Sequence, residues 1–213
     1  MSTFSCYFRT SLPKGFTLIE LLVVVSIVIL ITAFVLIRHS RFDSSTLLRS
    51  LSYSVALSVR QAQVYGTSVR GVAQDTSDVY GYGVYFASDL PCPSGIANTC
   101  YALFADTDAD GAWESTETVS TPSFGRGFSI RNFCAVSSGG SVSCLQGGGI
   151  SSLTIYFLRP NPDARINTSA GSNYSFAYVE IQSGGETSYR TVKVTNTGQI
   201  AVCGLNVTDI STC

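Results

Sequence analysis

Phe16 to Ile37 is a run of 22 residues in which Thr17, Glu20, Ser26 and Thr32 are the only polar side chains. About 20 such residues cross the hydrocarbon core of a bilayer as a helix. The segment can therefore span a membrane alone, and the rest of the chain need not fold around it. Glu20 is the anomaly. It is the only ionisable residue between Lys14 and Arg38, and a charge deep in a bilayer costs roughly 2.5 to 3.5 kcal/mol even on the mildest scale. Something has to compensate it.

The flanks do not fit an ordinary secretory signal, whose cleavage site follows the apolar stretch behind small residues. Here no A-x-A-like pattern follows the run, and the short polar leader with Arg9 and Lys14 stops at Gly15, directly before it. Arg38 and Arg41 on the far side balance Arg9 and Lys14, so the positive-inside rule does not set the orientation.

The stretch "KGFTLIELLVVVSIV" resembles the processing signature of prepilins of the type IV filament superfamily, which comprises type IV pilins, type II secretion pseudopilins and competence pilins. The resemblance implies that a membrane prepilin peptidase cuts between Gly15 and Phe16, on the cytoplasmic side, and that the new Phe16 terminus is N-methylated. It also implies a partner for Glu20: the α-amino group of Phe16 on a neighbouring subunit as it joins a filament. The freed amine and Glu20 lie within about one helical turn in depth, and a carboxylate near a helix N-terminus is favoured by the backbone dipole. The leader, residues 1–15 including Cys6, is then absent from the mature protein.

The helix is expected to continue past the membrane. No Pro occurs between Pro13 and Pro91 and no Gly between Gly15 and Gly66, so nothing breaks it earlier. Leu48, Leu51, Val55, Val59 and Ala62 recur at spacings of three and four, the stripe of an amphipathic helix resting on a core. From Phe16 to Tyr65 such a helix is about 75 Å long. Many type IV pilins bend at a proline near the outer end of the span, and none stands there in this sequence.

Beyond Gly66, alternation of Tyr, Val, Ile and Phe with small polar residues predicts strands near Val69 to Gln74, Gly81 to Ala87, Cys100 to Ala105, Gly127 to Val136, Ser152 to Leu158, Ser175 to Gln182, Tyr189 to Val194 and Gln199 to Cys203. The Gly-rich stretch from Gly139 to Gly149 reads as a surface loop. The expected fold class is α+β: a long N-terminal helix, half transmembrane and half amphipathic, packed on a C-terminal antiparallel β domain, as in pilins. The expected divisions are a leader at 1–15, a spine helix at 16–66 with its transmembrane part at 16–37, and an extracytoplasmic β domain at 67–213. The element order also resembles, more loosely, minor pilins and H-type pseudopilins.

From Phe42 onward there are nine Arg or Lys against thirteen Asp or Glu, a balance of −4. With no basic face visible, this argues against a nucleic-acid partner. Of seven cysteines, the six behind the span form an even set, the arithmetic of an exported, oxidised domain. Six cysteines allow fifteen pairings. The short sequential spacings favour three local clips, Cys92 to Cys100, Cys134 to Cys144 and Cys203 to Cys213. The absence of a CxxC pair, with His39 the only histidine, makes zinc the poorer reading.

Asp106 to Glu117, "DTDADGAWESTE", matches the twelve-residue calcium loop D-x-[DN]-x-[DN]-G-x5-E at every position. Asp106, Asp108 and Asp110 take positions 1, 3 and 5, and Gly111 the sharp turn. The Ala112 carbonyl stands at 7, Glu114 at 9 and Glu117 at 12. Five carboxylates without a Lys or Arg among them repel one another unless a cation intervenes. "CYALFA" before the loop reads as a strand, so this is an EF-hand-like loop outside a helix-loop-helix, expected to bind calcium structurally.

No histidine follows His39, and neither G-x-S-x-G nor a Gly-rich phosphate loop is present, so an enzyme is not expected. The leading expectation is a structural subunit of a type IV pilus-like filament, held in the cytoplasmic (inner) membrane by one pass and then carried into an extracellular or periplasmic filament with other subunits. The alternatives are a type II secretion pseudopilin and a DNA-uptake or adhesive minor pilin acting as a binding module.

Overall fold

The structure, a computed structural model, describes residues 15–68, 79–184, 187–210 and 213, with the side chains of 37–43 outside that description. The leader up to Lys14 and the strand expected at Val69 to Gln74 lie outside the described residues. The chain divides into two compact units, Met1–Asp43 and Ser44–Cys213.

In the first unit the described element is the opening part of α1 (Leu18–Thr67). Leu18–Leu36 is 19 residues of mean hydropathy 3.0, none of them buried. A helix apolar all round with nothing covering it suits a lipid environment.

The second unit opens with the remainder of α1, where the predicted stripe is the buried face: Leu48, Val55 and Ala62 are inaccessible to solvent and Val59 is 1% exposed. Two antiparallel sheets complete it. The first has the order β3 (Thr118–Ser120), β2 (Ala102–Asp106), β1 (Gly81–Ala87), β6 (Ser152–Leu158), β7 (Ala164–Thr168) and β8 (Gly171–Ser172). In the second the order is β11 (Ile200–Leu205), β10 (Tyr189–Thr195), β9 (Tyr174–Gln182), β4 (Ser129–Ser137) and β5 (Val142–Cys144). Strand alternation sends Val84, Phe86, Leu153, Ile155 and Phe157 of the first sheet into one core with Phe133, Val179, Ile181, Val192 and the helix stripe. In β4 the register shifts between Ile130 and Asn132. This bulge lets Ile130 and Phe133, three residues apart, face the same core.

Polar ties hold the helix in register. The Gln63 side chain is 5% exposed, its Nε2 donates to the carbonyls of Pro162 (2.9 Å) and Gly198 (3.0 Å), and its Oε1 accepts from Arg60. All of its near hydrogen-bonding capacity is used, as a buried amide requires. Gly198, in the turn between β10 and β11, has φ +79°, and a Cβ there would lie 2.2 Å from the Pro162 carbonyl oxygen and 2.5 Å from Gln63 Nε2. Tyr101, also buried, bonds Ser58 through its hydroxyl at 2.8 Å.

Cys92–Cys100, Cys134–Cys144 and Cys203–Cys213 are bonded. Cys134 and Cys144 are direct partners across β4 and β5, so the Gly-rich stretch expected as a surface loop contains a short strand tied to the sheet.

In the unit Ser44–Cys213, Leu48→Ala removes a wholly buried side chain and is expected to lower the unfolding free energy by about 2–5 kcal/mol. Leu57→Ala, at a position 67% exposed, should change it by less than about 0.5 kcal/mol. Urea unfolding measures both, and equal losses would show that the stripe is not the buried face.

Candidate functional site

The acidic loop is the connection of a hairpin. β2 pairs with β3 through Leu103 with Ser120 and Phe104 with Thr118, which brings Asp106, where β2 ends, beside Glu117, where the 3-10 turn Ser115–Glu117 leads into β3. Positions 1 and 12 of the motif therefore meet because two strands pair, where an EF-hand would use two helices. One oxygen each from Asp106, Asp108 and Glu117 lies within 4.8 Å of the others.

The backbone is bent to serve these carboxylates. Asp106 accepts from the N–H of Ala109 at 2.8 Å and of Gly111 at 3.2 Å, and Asp108 from the N–H of Asp110 at 3.2 Å. Ala109 has φ +68° and Gly111 φ +67°. The first is costly for an L residue. At Gly111 a side chain is excluded twice, by φ and because a Cβ would sit 2.4 Å from the Tyr156 ring. The loop thus lies on the outer face of the first sheet, with Trp113 stacked on Tyr85 at 4.7 Å and 13°, its indole N–H donated to Thr118 at 2.9 Å.

Glu117 is 7% exposed. Its Oε1 accepts from the backbone N–H and the hydroxyl of Thr107, at 2.6 and 2.8 Å, whereas the buried Oε2 has no hydrogen-bond partner among the described residues. Asp106 is wholly buried. Its burial pushes the carboxyl pKa above the ordinary value, the N–H groups of Ala109 and Gly111 oppose the rise, and the charges of Glu117 and Asp108 add to it. Two buried carboxylates and one exposed one, with no basic side chain paired to them among the described residues, form a site that can hold a metal cation. Asp110 and Glu114 stand outside this group: Asp110 accepts from the N–H of Ala112 at 2.7 Å, and Glu114 is exposed. Thr107, which anchors Glu117, is the residue that motif reading missed; a hydroxyl beside the first ligand was the available signal.

The buried carboxylates generate an opposite-sign test. In Glu117→Gln, Oε1 keeps its Thr107 bonds, and the orphaned oxygen becomes an NH2 that can donate to the aspartates. In chelator-treated protein this should raise the unfolding free energy by about 1–2 kcal/mol. Thermal unfolding showing a loss instead would mean that Glu117 is not an uncompensated charge.

At the other end of the chain, Thr17 immediately precedes α1, and its Oγ1 accepts the N–H of Glu20 at 3.3 Å. Thr17 is an N-cap and Glu20 occupies the third helical position, the T-x-x-E pattern that satisfies free N–H groups where the helix dipole favours an anion. The sequence places Glu20 near the helix start, and the structure adds the Thr17 cap. Phe16 is 79% exposed. A Cβ at Gly15 would meet nothing within 4 Å, and its φ is not in the left-handed range, so the fold itself places no demand for glycine at this position.

The prokaryotic N-terminal methylation motif matches residues 12–36. No curated protein and no solved structure matches the chain. The motif implies processing by a prepilin peptidase and assembly into a filament, and the single apolar helix that carries it fits a one-pass membrane anchor. That segment, with its capped acid in the first turn of an unburied apolar helix, is similar to the start of a type IV prepilin.

Proposed function

We propose that the protein is a structural subunit of a type IV pilus-like filament, cut after Gly15, methylated at Phe16, and presenting a β domain that calcium stabilises. The observation that carries the reading is the methylation motif at residues 12–36, 19 of whose residues form an apolar helix with no burial at all. So large an apolar surface needs a covering. The bilayer supplies it before assembly, and the helices of other subunits supply it afterwards. Glu20 then exchanges a costly position in lipid for an ion pair with the Phe16 amine of a neighbouring subunit. The leader at 1–15, a spine at 16–66 with its membrane part at 16–37, and an outer domain at 67–213 follow from this reading. It calls for a structural rather than a catalytic role.

Gly15→Leu separates a processing role from a folding role, because the fold leaves room for the side chain. The variant should stay at full length in the membrane and be missing from filaments. Mass spectrometry of wild-type filaments should find a methylated Phe16 terminus, and filaments built from uncut Met1 chains would overturn the proposal.

Calcium suits the acidic loop. Its oxygens lie 2.3–2.6 Å from the ion, so ligands on opposite sides are separated by about 5 Å, which accommodates the 4.8 Å grouping of Asp106, Asp108 and Glu117. Asp110, the Ala112 carbonyl, Glu114 and water are the further oxygens available for a coordination number of six to eight. Magnesium, which dehydrates reluctantly and demands an octahedron, fits such a cage less well. A cation bound only by the folded loop stabilises it by about 2.7 kcal/mol at one hundred times its dissociation constant.

Calcium should therefore raise the unfolding midpoint of the unit Ser44–Cys213 and shift the emission of Trp113, the only tryptophan in the chain. Both effects should vanish with chelator and in an Asp106→Ala and Glu117→Ala double variant. An equal shift in that variant would exclude the site.

A further inference from the structure

We propose that the outer face of the six-stranded sheet carries an oligosaccharide-binding groove, running from the Tyr85–Trp113 stack to Arg165, that takes a sugar chain bearing a carboxylate. The groove is built by strand register. Tyr85 of β1 faces Thr154 of β6, Thr154 faces Asn167 of β7, and Asn167 faces Ser172 of β8. These four side chains form one row across four strands, on the face opposite the core residues Val84, Ile155 and Ile166. The acidic loop walls one end of the row with Ala112 and Trp113, around a cavity of about 380 Å³. A second cavity of about 670 Å³ adjoins it, sharing Asn167 and Ser172 and adding Arg165, Asn173 and Asn196. Volumes of this order hold small ligands in other proteins.

The chemistry of the row is unspent. Among the described residues, the side chains of Thr154, Arg165, Asn167, Ser172 and Asn173 make no hydrogen bond or ion pair to another residue, although Thr154 is 5% exposed and Asn167 is half-buried. Each Asn offers two donors and an acceptor, the Thr and Ser hydroxyls offer both, and Arg165 offers five donors. Alternating donors and acceptors beside an aromatic pair match a pyranose, whose hydroxyls both donate and accept and whose C–H face lies against aromatic rings. Among the described residues, Arg165 is the only charged side chain lining the two cavities, and its planar fork suits a carboxylate on the sugar.

Other ligand classes fit less well. A nucleic acid needs several cations along its backbone, and this groove offers one. An extended peptide adds to a free sheet edge, whereas β1, β6 and β7 are paired on both sides and the edge strand β8 is two residues long. The inference rests on neither the filament reading nor the cation site.

The test uses the full chain in a sugar-free zwitterionic detergent, applied to immobilised oligosaccharides that include uronate-containing, sialylated and neutral chains. Retention of carboxylated chains over their neutral counterparts is expected. A retained oligosaccharide in solution should change Trp113 emission. Asn167→Ala should weaken its binding about tenfold, and Arg165→Gln should abolish the preference for the carboxylated chain while leaving thermal unfolding unchanged. Retention of no oligosaccharide, or equal retention by an Arg165→Gln and Asn167→Ala double variant, would overturn the proposal whether or not the chain assembles into filaments.

Discussion

The β domain depends on the burial of one face of one helix. Leu48, Val55, Val59 and Ala62 lose essentially all contact with water, and each large aliphatic side chain so buried contributes roughly 1.5–3 kcal/mol. Two sheets close around that stripe, and every other device acts on an assembly already fixed by it. Gln63, bonded at both ends of its amide, adds direction to a non-directional force: an apolar stripe can slide along a sheet, but a buried amide with fixed partners cannot. The same helix-forming sequence has a different solution nearer its start, where Leu18–Leu36 is apolar all round. A stripe selects a protein core, whereas an unbroken apolar surface selects lipid or other helices.

The acidic loop runs against this economy. Burying Asp106 and Glu117 beside Asp108 costs free energy that no basic side chain among the described residues offsets. Thr107 and the N–H groups of Ala109 and Gly111 satisfy some carboxylate oxygens, but Glu117 Oε2 remains without a partner among the described residues. Hydrogen-bonded turns orient the acids without neutralising them. A charge arrangement that is unfavourable in the bare chain becomes favourable around a cation, so a cation held there would stabilise the folded domain.

The parts that were legible in the sequence are those with a sustained period. The helix stripe and strands β1 and β6 stand where alternation or three-four spacing placed them, because five or more residues in register define a face. β3, β5 and β8 have two or three residues, too few for any period, and β7, "ARINT", is short and carries Arg165 outward. β5 was hidden inside a Gly-rich stretch and held by the Cys134–Cys144 bond. The acidic motif marks the loop in which Asp106, Asp108 and Glu117 converge, but linear spacing does not tell which carboxylates meet; Asp110 accepts an N–H from Ala112 instead. The cap formed by Thr17 follows a local rule that the sequence carries in full, whereas for Thr107 the sequence shows only a hydroxyl beside Asp106, and its bond to Glu117 depends on where β2 and β3 meet.

The outer face of the six-stranded sheet shows why a binding surface can escape sequence reading altogether. Tyr85, Thr154, Asn167 and Ser172 come from four strands and become neighbours only through register. The face is also divided. Over Tyr156 the acidic loop closes on the sheet, and Gly111 fits because it has no side chain to strike the Tyr156 ring. Beyond Trp113 the row continues as polar side chains, Thr154 buried, Asn167 half-buried and Ser172 exposed. A solvated sheet face needs polar groups, but it does not need them half-buried and unpaired, since water reaches exposed groups more easily. Thr154 and Asn167 are recessed between the loop and the β7–β8 turn, so a ligand that brings its own hydroxyls into that recess gains more from them than it would on a flat polar surface.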